Sequence, residues 1–147
     1  MDRKTWTNAD YDEFERMMHD KFPKMFAQPY GGFATGPGWW EMIYHLCSQI
    51  QFHIDHQETM KNVHGMGPGC DQVVVEQIKE KFGTLRFYAT GGDDTTDGMM
   101  TMAESMSSIL CEQCGAPGER RHGGWIRTLC DEHEAERQAL KQAAKEL

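Results

Sequence analysis

No stretch of this 147-residue chain is apolar over anything near the roughly 18–20 residues a membrane-spanning helix requires. The opening residues, MDRKTWTNADYDEFER, lack the hydrophobic core of a secretion signal, so retention in the cytoplasm is expected. Cysteine is sparse and odd in number, at five, which suits a reducing compartment better than a disulfide framework. Basic residues are missing from two long segments, Met25 to Met60 and Phe87 to Glu119. With a net charge of −8, the surface as a whole is unsuited to non-specific nucleic-acid binding. There is no glycine-rich phosphate loop, no G-x-S-x-G elbow and no kinase signature. Internal repeats and low-complexity tracts are absent as well.

What is present suits a soluble, folded chain of about one domain: 39% hydrophobic and 26% charged residues. Thr7 or Asn8 can cap a first helix running to about Lys21, with Asp10, Asp12 and Glu13 in its first turn. Phe14, Met17, Met18 and Phe22 form its apolar stripe, and Pro23 ends it. QPYGGFATGPGW reads as an ordered, aromatic loop. A second helix is expected from about Trp39 to Met60, with Trp39, Ile43, Leu46, Ile50 and Ile54 facing the core. VVVEQIKEKF and LRFYAT flank Gly83 as a β-hairpin whose core face the alternation leaves open. DDTTDG supplies caps for a third helix, with Met99, Met102, Met106 and Ile109 or Leu110 on one side, read as core.

The strongest local pattern is C-x₂-C-x₁₅-C-x₂-H, formed by Cys111, Cys114, Cys130 and His133. Thiolate and imidazole are ligands zinc prefers, and two close-spaced pairs can close a tetrahedron. Gly115 permits the tight turn of a zinc knuckle. DEHEAERQALKQAAKEL after the third cysteine is strongly helix-prone, and GGWIRTL offers a short strand. Knuckle, hairpin and ligand-bearing helix describe a treble-clef-like finger. Four protein ligands leave no open position, so a structural zinc is expected rather than a catalytic one. The fold class expected is therefore α+β: residues 1–110 form helices packed on a β-hairpin, and residues 111–147 form a zinc finger with a terminal helix.

Other candidates are weaker. His45, His53 and His56 share the second helix, and His53 with Asp55–His56 could suggest a second metal, but no further carboxylate is placed to complete it, so they read as polar-face residues. Cys47 reads as a small buried hydrophobe, while Cys70 falls in a Gly/Pro loop where exposure is expected. Asp93, Asp94 and Asp97 lie in a segment free of Lys and Arg, an acidic face able to meet a basic partner. Arg120, Arg121, Trp125 and Arg127 make a basic, aromatic loop between the ligand pairs, suited to nucleic acid or to an acidic protein. Asp131, Glu132, Glu134 and Glu136 follow and would repel a phosphate backbone.

The CxxCG…LCxxH frame resembles the zinc frame around HNH endonucleases. Those carry an Asp-His pair and a later Asn between the ligand pairs. Here the insert APGERRHGGWIRTL has His122 without either, so no nuclease site and no catalytic residue is expected. GWWEMIYHLCSQI, VEQIKEKFGTLRFYATGGD and CEQCGAPG…GGWIRTLCDEH together resemble a group of small bacteriophage and prophage proteins, over roughly residues 36–133. Relatives in that group often place Cys where this chain has His133. The resemblance implies a zinc-containing accessory protein of a bacterial host cytoplasm. It also suggests a protein that acts by binding a host or phage protein, for instance to inhibit a defence system such as CRISPR-Cas. A small nucleic-acid-binding regulator is the alternative expectation.

Overall fold

Residues 6–147 are described by a computed structural model. Helix α1 (Asn8–Lys21) begins at Thr7, whose hydroxyl accepts from the Asp10 backbone N–H at 3.2 Å. The Asp10 carboxylate accepts from the Thr7 N–H at 2.9 Å, which completes a capping box. An aromatic loop follows and contains the two-residue strand β1 (Phe33–Ala34). A 3₁₀ turn over Pro37–Trp39 leads directly into α2 (Trp40–His64), the longest helix. It stops where Gly65 takes a left-handed φ of 63°, a position that costs glycine nothing. No helix among the described residues is long and apolar enough to cross a membrane.

Strands β2 (Asp71–Lys81) and β3 (Thr84–Gly92) form the antiparallel hairpin, and β1 adds to β2 in parallel to make three strands. Register shifts between Asp71 and Val74 and between Val75 and Gln77 explain why simple alternation did not reveal the core face. The bulges re-aim the side chains, so that Val73, Val75 and Ile78 all point inward. The turn is Phe82–Gly83, one residue earlier than the Gly83–Thr84 pair the sequence suggests. Both residues have positive φ, 54° and 81°, as the twist of a two-residue hairpin loop requires.

Helix α3 (Asp94–Ser107) lies along β3. Its expected methionine stripe is only partly core: Met99 and Met100 pack on it, while Met102, Met106 and Ile109 are exposed. The buried face carries the small residues Thr96, Ala103 and Ser107. Their size lets the helix approach closely enough for the Ser107 hydroxyl to accept from the Leu85 N–H at 2.8 Å. Glu104 accepts from the Phe87 N–H at 3.3 Å. Edge N–H groups of β3 are thereby covered by helix side chains instead of standing open.

The core lies between the sheet and the inner faces of α1 and α2, around Met18, Met25, Trp39, Ile43, Ile50, Val73, Val75, Ile78 and Leu85. Beyond it come β4 (Glu119–Arg121), β5 (Arg127–Leu129) and α4 (Asp131–Lys145). Bonds cross the 110/111 boundary in several places. The Gly38 N–H donates to the Glu112 carbonyl at 2.7 Å, and the Thr128 hydroxyl donates to the Gly83 carbonyl at 2.6 Å.

Two substitutions one turn-face apart on α2 test this packing. Ile50 is fully buried, and Ile50→Ala should lower the unfolding free energy by about 2–5 kcal/mol in urea titration. Phe52 points outward, and Phe52→Ala should change it by no more than about 0.5 kcal/mol.

Candidate metal centre

The first ligand pair sits on a knuckle closed by two short bonds. The Cys111 N–H donates to the Ala116 carbonyl and the Gly115 N–H to the Cys111 carbonyl, each at 2.7 Å. Gly115 takes φ 79° to allow this. The second pair sits at the start of α4. Cys130 is its N-cap residue, and its sulfur accepts from the His133 N–H at 3.4 Å. Asp131, Glu132 and Glu134 occupy the first turn, where the helix dipole favours negative charge. The β4–β5 hairpin, with Glu119 opposite Leu129 and Arg121 opposite Arg127, carries the chain from one pair to the other.

The four ligand atoms all lie within 4.8 Å of one another. Cys114 Sγ and Cys130 Sγ are 3.9 Å apart, while His133 Nδ1 lies 3.5 Å from Cys111 Sγ and 3.3 Å from Cys130 Sγ. A tetrahedral ion with sulfur bonds of about 2.3 Å and nitrogen bonds of about 2.0–2.1 Å has edges of about 3.8 Å (S to S) and about 3.6 Å (S to N). These three edges agree with those values to within about 0.3 Å. The sulfurs are far beyond the roughly 2.05 Å of a disulfide, and all five cysteines are free.

The surroundings favour a cation. Coordination through Nδ1 would leave the His133 proton on Nε2, on the side where Glu136 Oε2 lies 3.8 Å away. Burial disfavours ionising Cys130, but N–H groups of His133 and Glu132 and hydrogen bonds from Cys111 and Cys114 outweigh it and hold this thiol below its usual range. Burial pushes Cys114 up to about 11. On protein groups alone Cys130 is thus readied to ionise while Cys114 is held back, and a divalent cation beside Cys114 would reverse that reluctance.

The knuckle is keyed to the main body. The Gly36 N–H donates to Glu112 Oε2 at 2.8 Å, and Arg127 Nε pairs with Glu112 Oε1 at 3.5 Å. Burial raises the Glu112 pKa, while the Gly36 N–H and Arg127 oppose the rise. The indole N–H of Trp39 donates to the Leu110 carbonyl at 2.9 Å. Gly38 is the tightest point. A Cβ there would lie 2.1 Å from the Cys111 carbonyl oxygen and 2.6 Å from the N–H nitrogens of Cys114 and Gly115.

The other candidates fall in different places. Asp94 and Asp97 are exposed on α3. Asp93 is not a free surface charge, because it caps α3 and lies 2.7 Å from His53 Nε2. Among the basic-loop residues, Arg120 donates to the Phe82 carbonyl at 2.7 Å, and Arg121 pairs with Asp131 at 2.7 Å. Arg127 pairs with Glu112, and the Trp125 indole donates to Glu80 at 2.8 Å with its ring 74% exposed. Their guanidinium groups thus face acceptors of this same chain.

His45 and His56 are surface residues, as expected. His53 is not: it turns toward Asp93 and Cys70. Its carboxylate partner, Asp93, arrives from 40 residues away, a contact that no local spacing encodes. Cys70, expected to be exposed, is 6% exposed. Against protein-family models, curated proteins and solved structures, the chain has no match.

Gly38→Ala should force the knuckle away from the 3₁₀ turn. We expect a loss of about 1–3 kcal/mol of stability, together with weaker metal retention in competition with a chelator, while Gly98→Ala, facing open space, retains metal normally.

Proposed function

We propose that this chain is a non-enzymatic binding protein of phage or prophage origin whose C-terminal segment is a treble-clef-type finger stapled by one structural zinc. The ion is assigned as zinc because three thiolates and one imidazole on tetrahedral edges suit a d¹⁰ cation with no geometric preference of its own. Four protein ligands fill the shell, leaving no position for a reacting water. Its role is to shape the end of the chain, in a bacterial host cytoplasm.

The observation that carries the binding role is the outer face of α3. Asp94 and Asp97 are exposed near its start, Met102 and Met106 are exposed further along it, and Ile109 is exposed just past its end. No Lys or Arg occurs from Phe87 to Glu119 to neutralise it. Carboxylates beside adaptable thioethers suit a basic partner with apolar ridges, such as the nucleic-acid channel of a defence effector. The resemblance to phage proteins supports this choice, and inhibition of a CRISPR-Cas complex is the particular version we put forward. The alternative, a nucleic-acid regulator reading through the finger loop, is weakened by the intramolecular pairing of Arg120, Arg121 and Arg127.

Competition with duplex DNA for a guide-loaded CRISPR effector tests the proposal. The chain should displace DNA, Asp94→Asn/Asp97→Asn should weaken displacement about tenfold, and rising salt should weaken it further. No displacement at low salt, or displacement indifferent to salt and to the double substitution, contradicts it. A low-salt mobility shift of DNA or RNA by the chain alone would favour the alternative. Metal analysis after exhaustive dialysis should find one firmly held zinc per chain.

A further inference from the structure

The ends of β2 and β3 are brought together by the pairing of Asp71 with Gly92. One step beyond that pair, Cys70 and Asp93 lie opposite each other, and His53 of α2 reaches across to both. His53 Nε2 is 2.7 Å from Asp93 Oδ2, and the three ligand atoms of His53, Cys70 and Asp93 lie within 4.8 Å of one another. The geometry points to a second metal site here, an exchangeable zinc site with three protein ligands and an open fourth position.

The three groups are held from outside the cluster. Asp93 Oδ1 accepts from the Thr96 N–H at 3.0 Å as the α3 cap, which leaves Oδ2 directed at His53. The Cys70 N–H donates to Glu58 Oε1 at 2.9 Å. Each ligand from the hairpin follows a glycine in the left-handed region, Gly69 at φ 75° and Gly92 at φ 81°. A Cβ on Gly69 would lie 2.5 Å from Glu58 Oε1, and one on Gly92 would lie 2.2 Å from Thr96 Oγ1. Both glycines therefore permit the contacts that orient the ligand beside them. His53 and Asp93 side chains are 15% and 34% exposed, so the cluster is sheltered yet open on one side.

One imidazole nitrogen, one thiolate and one carboxylate form a donor set zinc accepts, and two negative charges match its two positive ones. Binding replaces the His53–Asp93 hydrogen bond with two metal bonds: the proton on His53 Nε2 leaves to solvent while Nδ1 takes or keeps one, which frees Nε2 to ligate, and the Cys70 thiol proton is released to solvent. On protein groups alone, burial, then the charges of Asp93, Asp71 and Glu58, push that thiol up to about 11. It is accordingly no free nucleophile, and a thiolate there requires a cation beside it. Where the C-terminal cluster closes its shell, three ligands leave room for water or for a donor from another molecule.

Stoichiometric titration of the full chain with Co(II), followed by optical absorption and native mass spectrometry, tests this assignment. The wild type should take up two ions, the second adding near-ultraviolet thiolate charge-transfer absorption. Brief exposure to a mild chelator should remove only that second ion. Cys70→Ser should bind one ion, and Asp93→Asn should bind the second at least about tenfold more weakly. Asn keeps the helix cap, so this variant folds even if Cys70→Ser does not. Saturation of the folded wild type at one ion, or a second ion bound unchanged by Asp93→Asn, overturns the proposal.

Discussion

Helix α4 depends on the donor tetrahedron at its N-terminus more than on any burial of its own. It buries no residue, so the apolar contact that holds most protein helices is missing. An isolated helix of this length is marginal in water. What ties it down is the ligand pair at its start, the Arg121–Asp131 ion pair, and two side chains reaching the β4–β5 loop. Arg137 donates to the Trp125 carbonyl at 2.7 Å and Lys141 to the Gly123 carbonyl at 2.8 Å. Those latter bonds are exposed and individually weak. Four bonds from a cation held on that tetrahedron would be the term large enough to decide whether the segment is ordered.

The tetrahedron in turn is coupled to the hydrophobic body. Its knuckle carbonyls sit against Gly38 with no room for a side chain, and Glu112 joins the knuckle to Gly36 on one side and to Arg127 on the other. Thr128, wholly buried, anchors β5 to the β2–β3 turn through Gly83. Ordering of the metal segment and the shape of the Phe82–Trp125 surface are therefore linked. A cation held among Cys111, Cys114, Cys130 and His133 would act through these contacts on the hairpin tip without touching a residue there.

Much of this was legible in the chain itself because it rests on short-range periodicity. Ile43, Leu46, Ile50 and Ile54 announced the buried face of α2, and the C-x₂-C-x₁₅-C-x₂-H spacing announced a ligand cluster that the fold does assemble. Other features are set by register, which local pattern does not carry. The β-bulges that turn Val73, Val75 and Ile78 to one side break the period-two signal. On α3, Ala103 and Ser107 win the buried face from Met102 and Met106 because close approach to β3 satisfies its N–H groups. The meeting of His53, Cys70 and Asp93 follows from the Asp71–Gly92 pairing and the packing of α2, so reading His53 as a polar-face residue left its distant partners unseen.

Hydrogen exchange of the metal-loaded chain, with and without a strong chelator, addresses the central claim most directly. The account predicts that removing the metal raises exchange across residues 111–145 to nearly the unfolded rate, while Ile43–Ile54 and Val73–Phe87 keep their protection. Persistence of protection in α4 after complete metal removal would contradict it.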